Sequence, residues 1–416
     1  MIVLSGADLV LPGGVQGRAT LVIDGERIAD VSSATALPAS STPLDGHIIV
    51  PGFIDVHVHG VEGIDALDGS DATAAIARRL PKFGVTAFCP TTVACGPARL
   101  RDVLESVAKL RGAIDAAARV LPAHLESNFI NPDYRGAQPF ECLRAPRGAL
   151  GAGGAIGAIG AKGAIGARGA LGATGARGAE DFDAADILAE IDRAGGAVGI
   201  VTLAPELDGA LDLIRHLVSK GRRVSLGHSG ADMEQGRAAI EAGATQATHL
   251  FNRMPPFGHR EPGLVGAILS SERVAAEVIC DGVHVHSEVV RMAVSTKGRA
   301  RMMAITDGVA VAGMPEGSTA LLGGRQIRVN KSAAYLEDGT LAGSVATMDR
   351  VFRFLVRDVG LSLVDAAHLC STTPAAELNL TDLGTITKGA IADLVVLDRD
   401  FHVKQTYVAG RLVYSR

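Results

Sequence analysis

The chain has 416 residues, of which 47% are hydrophobic and 20% charged, a balance that excludes a disordered protein and allows a large core. A β/α barrel alone uses roughly 250 residues, so one barrel plus a modest second unit fits the length. The formal net charge of −5 excludes a general attraction for nucleic acid or anionic lipid, and an acidic substrate then needs locally placed Arg or His.

Five cysteines (Cys89, Cys95, Cys142, Cys280, Cys370) show no CxxC spacing and no paired framework, which fits a reduced compartment. The opening MIVLSGADLVLPGG lacks a basic region followed by an apolar run and a small-residue cleavage site. No apolar stretch is long enough to span a bilayer, so a cytoplasmic protein is expected.

Residues 1–50 alternate short apolar runs (Ile2–Leu4, Leu9–Leu11, Thr20–Ile23, Arg27–Val31) with Gly and Asp turns, the pattern of small antiparallel strands. From Gly384 the tail repeats it, so residues 1–51 and 385–416 are predicted to pair into one small β-sandwich. Between them, residues 52–384 carry eight buried-strand runs, each followed by a helical stretch: FIDVHVH, VTAFCPT, VLPAHLE, AVGIVTL, RVSLGHS, ATHLFN, AAEVICD and RMMAITD. That alternation predicts an α/β fold with a closed (β/α)8 TIM barrel. Within it, residues 148–179 hold a Gly-Ala-X tract with Gly at every third position and no proline. Collagen-like assembly is therefore disfavoured, and a low-complexity insertion near the mouth of the site is expected.

A TIM barrel keeps its active site at the C-terminal ends of its strands, so the polar residues closing each run are the candidates. The first run ends in His57 and His59, the third in Glu126, the fifth in His228 and the sixth in His249. The seventh ends in Asp281 with His284 just beyond, and the eighth in Asp307. Imidazole and carboxylate suit Zn2+ or Fe2+, and three protein ligands with an open position define a catalytic site. Glu126, His228 and His249 meet that description. His57 and His59, two apart on a strand, project to the same side and could hold a second ion. His124 shares a face with Glu126 but lies deeper, where a core histidine is the plainer reading; His216, His368, His47 and His402 read as structural. Asp307 could move a proton between water and a leaving group, although TDG also suits a turn. GHREPG places His259 and Arg260 in a polar loop suited either to anion binding or to solvent.

The strings PGFIDVHVHG, HLESNFINPDYRGA, TLAPE, GHSGA, GATQATHLFNRMPPFGHREPG, DGVHV, ITDGVAVAGMPEG and ADLVVLD together resemble the N-acetylglucosamine-6-phosphate deacetylases of the amidohydrolase superfamily. The resemblance covers nearly the whole chain apart from the glycine tract. It implies a homodimer of barrels with terminal β-sandwiches, one or two divalent ions per subunit, and hydrolysis of the acetamide of N-acetylglucosamine 6-phosphate to acetate and glucosamine 6-phosphate. Position by position it implies Glu126, His228 and His249 as metal ligands, with His57 and His59 as in members that bind two ions. Asp307 would be the proton-transfer residue and His284 the contact to the substrate amide. Asn252 and Arg260 would hold the sugar phosphate, the arginine reaching across the dimer interface. The chain departs from the family pattern where HLEGP is HLESN, where the histidine twelve residues after the glutamate is Gln138, and where Arg253 follows THLFN. Gln138 and Arg253 thus enter the substrate set with altered chemistry: an uncharged amide and an added fork-shaped cation. Two other readings follow: an amidohydrolase for another N-acetyl amino sugar, such as N-acetylgalactosamine 6-phosphate, or for an N-acyl amino acid; and a catalytically silent scaffold, which the intact metal set argues against.

Overall fold

The computed structural model describes residues 1–33, 41–111, 116–150 and 181–416. Most of the Gly-Ala-X tract, residues 151–179, lies outside the described residues, and so does the expectation placed on it.

The chain opens with β1 (Ile2–Leu11), β2 (Gly14–Asp24) and β3 (Arg27–Ser33), antiparallel neighbours in register Leu4 to Leu21 and Val22 to Asp30, and reaches β4 (Ile48–Pro51), which lies parallel to β1. Alternate side chains of these strands serve two cores. Leu9 and Ile49 join a small cluster within the terminal sheet, whereas Val10, Ile48 and Val50 join the main cluster. This is the two-residue period of a strand with both faces covered.

Eight strands then build the barrel: β5 (Phe53–Val58), β6 (Val85–Thr92), β7 (Ala123–Glu126), β8 (Val198–Leu203), β9 (Arg223–Leu226), β10 (Gln246–Ala247), β11 (Ala275–Ile279) and β12 (Met302–Ile305). They pair in parallel in this order. The ring closes where the Asp307 amide donates to the His57 carbonyl at 3.0 Å and Val58 bridges Gly308. Inside that seam the Thr306 hydroxyl donates to the Asp55 carboxylate at 2.5 Å, and burial pushes the Asp55 carboxyl up to about 7 despite that bond. Every residue of β5 and β6 is buried, the polar Asp55, His57, Thr86, Thr91 and Thr92 included, as expected of parallel strands covered on both faces. Helices cover the outside. Among them α1 (Pro97–Leu110) and α2 (Ala184–Arg193) pack together, α2 starting at a capping box made by Asp183 and Asp186. No helix among the described residues is long and apolar enough to cross a membrane.

All eight predicted runs form strands, but the sixth is brief. Only Gln246–Ala247 pair, because the chain turns into left-handed backbone at His249 (φ 29°). A further element was not anticipated. Between barrel and tail, β13 (Thr319–Leu322), β14 (Arg325–Asn330), β15 (Ala333–Leu336) and β16 (Leu341–Ser344) form an antiparallel sheet beside the barrel mouth. The tail adds β17 (Leu394–Leu397), β18 (Val403–Val408) and β19 (Arg411–Ser415), and β17 pairs antiparallel with β4, Val50 opposite Val395. The two termini thus complete one small β-sandwich unit beneath the barrel. Leu394 and Val396 face its core, and Val395 and Leu397 face the barrel.

Candidate metal centre

Each strand end delivers its polar residue by a local device. His57 and His59 close β5 and, being two apart, point to the same side. Glu126 ends β7. His228, His249 and Asp307 follow β9, β10 and β12 in left-handed backbone, at φ 47°, 29° and 48°. Non-glycine residues there carry roughly 1 to 3 kcal/mol of strain, which a packed surrounding must hold in place and which concentrates at functional sites.

The imidazoles crowd around one carboxylate. Glu126 Oε1 lies 2.7 Å from His228 Nε2 and 2.8 Å from His249 Nε2, and those two nitrogens are 3.0 Å apart. His57 Nε2 and His59 Nε2 are 3.2 Å apart, and Asp307 Oδ1 lies 3.3 Å from the first and 3.4 Å from the second. His59 Nε2 is 3.5 Å from Glu126 Oε2. All six side chains are buried.

Hydrogen-bond bookkeeping shows that a cation fits. His228 Nδ1 donates to the Tyr134 carbonyl at 2.8 Å, so in the neutral ring Nε2 carries a lone pair aimed at a carboxylate oxygen and at another imidazole nitrogen. Lone pairs converging in this way repel unless a positive charge lies among them, and neutral imidazole with carboxylate is the donor set of zinc or ferrous sites. Glu126 with His228 and His249, and His57 with His59 and Glu126, each bring one ligand atom per residue within 4.8 Å of the others. The charges respond to one another. Burial disfavours the Glu126 and Asp307 carboxylates, yet the surrounding imidazoles hold both below the usual carboxylate range. Burial takes His57 down to about 3 against the pull of the Asp307 and Glu126 carboxylates, while the same carboxylates outweigh burial at His59 and raise it to about 9.

A cavity of about 520 Å3 opens above this cluster, with Asn252, Arg253, His284 and Gln138 among its walls and Leu322 and Leu341 of the unanticipated sheet at its rim. His284 Nδ1 lies 2.6 Å from Asp281 Oδ2, and the other oxygen of that carboxylate accepts from the Val283 and His284 amides at 2.9 Å. Burial opposes the Asp281 charge, but these bonds keep it below its ordinary value. Gln138 turns its carbonyl to the Ala94 amide at 2.7 Å and donates from Nε2 to Glu126 Oε2. Arg253 donates to the Leu341 carbonyl at 3.1 Å. His259 and Arg260 are exposed, and the cavity walls do not include them.

Sequence reasoning singled out most of this cluster and set His124 aside; both of its nitrogens are engaged, at 3.0 Å with the Val56 carbonyl and 2.8 Å with the Thr202 hydroxyl. It passed over Glu277 of β11, which is fully enclosed and 2.9 Å from His57 Nδ1. The available signal was a lone acid inside the apolar run AAEVI, since carboxylates are almost never fully buried without a partner.

A closed parallel barrel with a ring of imidazoles and carboxylates at its C-terminal mouth defines the class: a metal-dependent hydrolase. The amidohydrolase family model matches residues 48–413. The chain is 35% identical to the N-acetylglucosamine-6-phosphate deacetylase of Rattus norvegicus, over 98% of this chain and 94% of the relative. It is 32% identical to the N-acetylgalactosamine-6-phosphate deacetylase of Escherichia coli O157:H7, over 93% of each. Among solved structures, a mutant N-acetyl-D-glucosamine-6-phosphate deacetylase from Mycobacterium smegmatis, in complex with N-acetyl-D-glucosamine-6-phosphate, superposes with a TM-score of 0.84 at 32% identity, covering 100% of this chain and 99% of that one. The chain therefore belongs to the amidohydrolase family, within its N-acetylglucosamine-6-phosphate deacetylase branch.

Proposed function

We propose that the protein hydrolyses the acetamide of N-acetylglucosamine 6-phosphate, giving glucosamine 6-phosphate and acetate. The convergence of Glu126, His228, His249 and Asp307 on the floor of one large cavity carries this reading. A divalent ion, zinc or ferrous iron, would be held by Glu126, His228 and His249 and would supply Lewis acidity at this floor of the cavity. Asp307 takes the proton from the attacking water as its oxygen adds to the amide carbon, and returns it to the amine nitrogen as the C–N bond breaks. His284, whose Nδ1–H is held by the Asp281 carboxylate, donates from Nε2, when the ring carries a proton on both nitrogens, to the carbonyl oxygen, where negative charge develops. Asn252 and Arg253 line the cavity where the sugar phosphate is held, with Arg253 suited to pair two phosphate oxygens.

Arg260 supports a homodimer, because this exposed arginine lies outside the cavity of its own chain. In this reading it reaches the phosphate bound by a partner copy. R260A then lowers kcat/KM for the phosphorylated sugar about tenfold or more, the share of one charge-assisted bond, and leaves the unphosphorylated sugar unchanged. Five unpaired cysteines fit a reduced, cytoplasmic setting.

Gln138 favours a second reading, a different phosphorylated N-acetyl amino sugar such as the galacto epimer. Its amide is occupied by Ala94 and Glu126, so it offers a sugar hydroxyl less than a histidine would. Amine release from N-acetylglucosamine 6-phosphate, N-acetylgalactosamine 6-phosphate and their unphosphorylated forms separates the two. The gluco phosphate turning over fastest supports the first reading, and no turnover of any of the four rejects both.

A further inference from the structure

Glu277 has no place in the chemistry above, yet it is among the most confined acids in the molecule. It projects from β11 between Ala276 and Val278, with no exposed surface. Enclosing a carboxylate is costly unless good partners are met. Its Oε2 meets His57 Nδ1 at 2.9 Å, while Oε1 stands 3.7 Å from His124 Nδ1, beyond hydrogen-bond reach, and has no partner among the described residues. His124 itself is locked elsewhere. Its Nε2 meets Thr202, whose hydroxyl lies 2.7 Å from that of Thr248, which lies 2.6 Å from that of Ser225. The barrel floor is thus a fixed polar network, and Glu277 engages it on one productive side only, at His57.

A carboxylate oxygen accepts, so the proton on the His57 ring belongs at Nδ1 and the lone pair at Nε2. That lone pair stands 3.2 Å from His59 Nε2 and 3.7 Å from Glu126 Oε1. We propose that Glu277 is the positioning residue of a second ion site, fixing the tautomer and plane of His57 so that its Nε2 becomes a ligand alongside His59 and Glu126. The inference builds on the reading of His57 and His59 as second-ion ligands. Carboxylates that hold the far nitrogen of a metal-bound imidazole orient the ring and raise its basicity, and their loss costs about 10- to 100-fold in metal affinity.

The test reads ions rather than turnover, so a wrong substrate assignment leaves it intact. Wild-type protein, E277Q, H57Q and the double variant are stripped, reloaded with zinc and titrated against a competing chelator, with zinc content measured by elemental analysis. Wild type is expected to hold two ions. E277Q keeps one at wild-type affinity and binds the other about 10- to 100-fold more weakly. The double variant is no worse than H57Q alone, because Glu277 acts through His57. A residue that merely supports the fold weakens both ions together and adds to H57Q. That outcome, two wild-type affinities in E277Q, or a single ion in the wild type overturns the proposal. If E277Q does not fold, E277D, whose carboxylate retreats by one methylene, carries the same expectations.

Discussion

His228, His249 and Asp307 leave their strands through left-handed backbone, so their side chains swing inward over the barrel axis instead of continuing the pleat. Glu126 then collects two imidazoles on one oxygen, and Asp307 stands at 3.3 to 3.4 Å from two others. In this account Asp307 is a proton carrier and not a ligand that the ion requires. D307N should therefore lower kcat by about 10²- to 10⁴-fold, the usual share of a general acid and base, while zinc content stays at the wild-type level. Kinetics paired with elemental analysis check this, and loss of the ion in D307N would assign Asp307 to the ligand set. The residue types at strand ends were legible in the sequence because catalytic side chains of a parallel barrel cluster at that edge. Glu277 was not legible as a partner of His57, since 220 residues separate them and only barrel closure brings them to 2.9 Å.

Among the elements, α1 and α2 are joined by a charged clamp. Arg101 of α1 and Arg193 of α2 both donate to the Glu190 carboxylate, and the hydrogen bond from Arg101 does most to hold it below the ordinary value. A depressed carboxylate stabilises the folded state fully above its unfolded pKa of about 4.3, and that contribution fades as pH falls through the lower folded value. Urea unfolding from pH 6 down to pH 3 should show wild type losing stability more steeply than E190Q below about pH 4.3. Parallel curves would remove the clamp from the account. The eight barrel strands were readable as buried apolar runs, but the sheet over 319–344 was not. Its strands are four to six residues long, and β14 buries only Ile327 and Val329. So short and half-exposed a pattern resembles a loop until it is seen packed at the mouth of the cavity.

For the molecule as a whole, the terminal strands tie the two cores together. Each residue of β17 is fully enclosed, with Leu394 and Val396 on one core and Val395 and Leu397 on the other. Burying such a side chain contributes roughly 1.5 to 3 kcal/mol, so losing the four is comparable with a typical domain's whole net stability of about 5 to 15 kcal/mol. Truncation before Leu394 should thus abolish the cooperative thermal transition, as calorimetry would show, even though the barrel strands remain. A barrel that melts normally without β17 to β19 would mean the two units are independent. The pairing of the two ends was legible from matching strand patterns, whereas the division of labour between alternate side chains needed the register of β4 against β17.

The central claim, that this barrel is an ion-dependent amide hydrolase acting through the Glu126, His228 and His249 centre, meets its most direct test in acetate release from N-acetylglucosamine 6-phosphate. Release is followed before chelation, after removal of bound ions, and after zinc or ferrous iron is restored. Turnover is expected to disappear on stripping and to return with the ion in wild type but not in H228A. Turnover that survives complete removal of the ion, or that returns equally in H228A, would contradict the central claim.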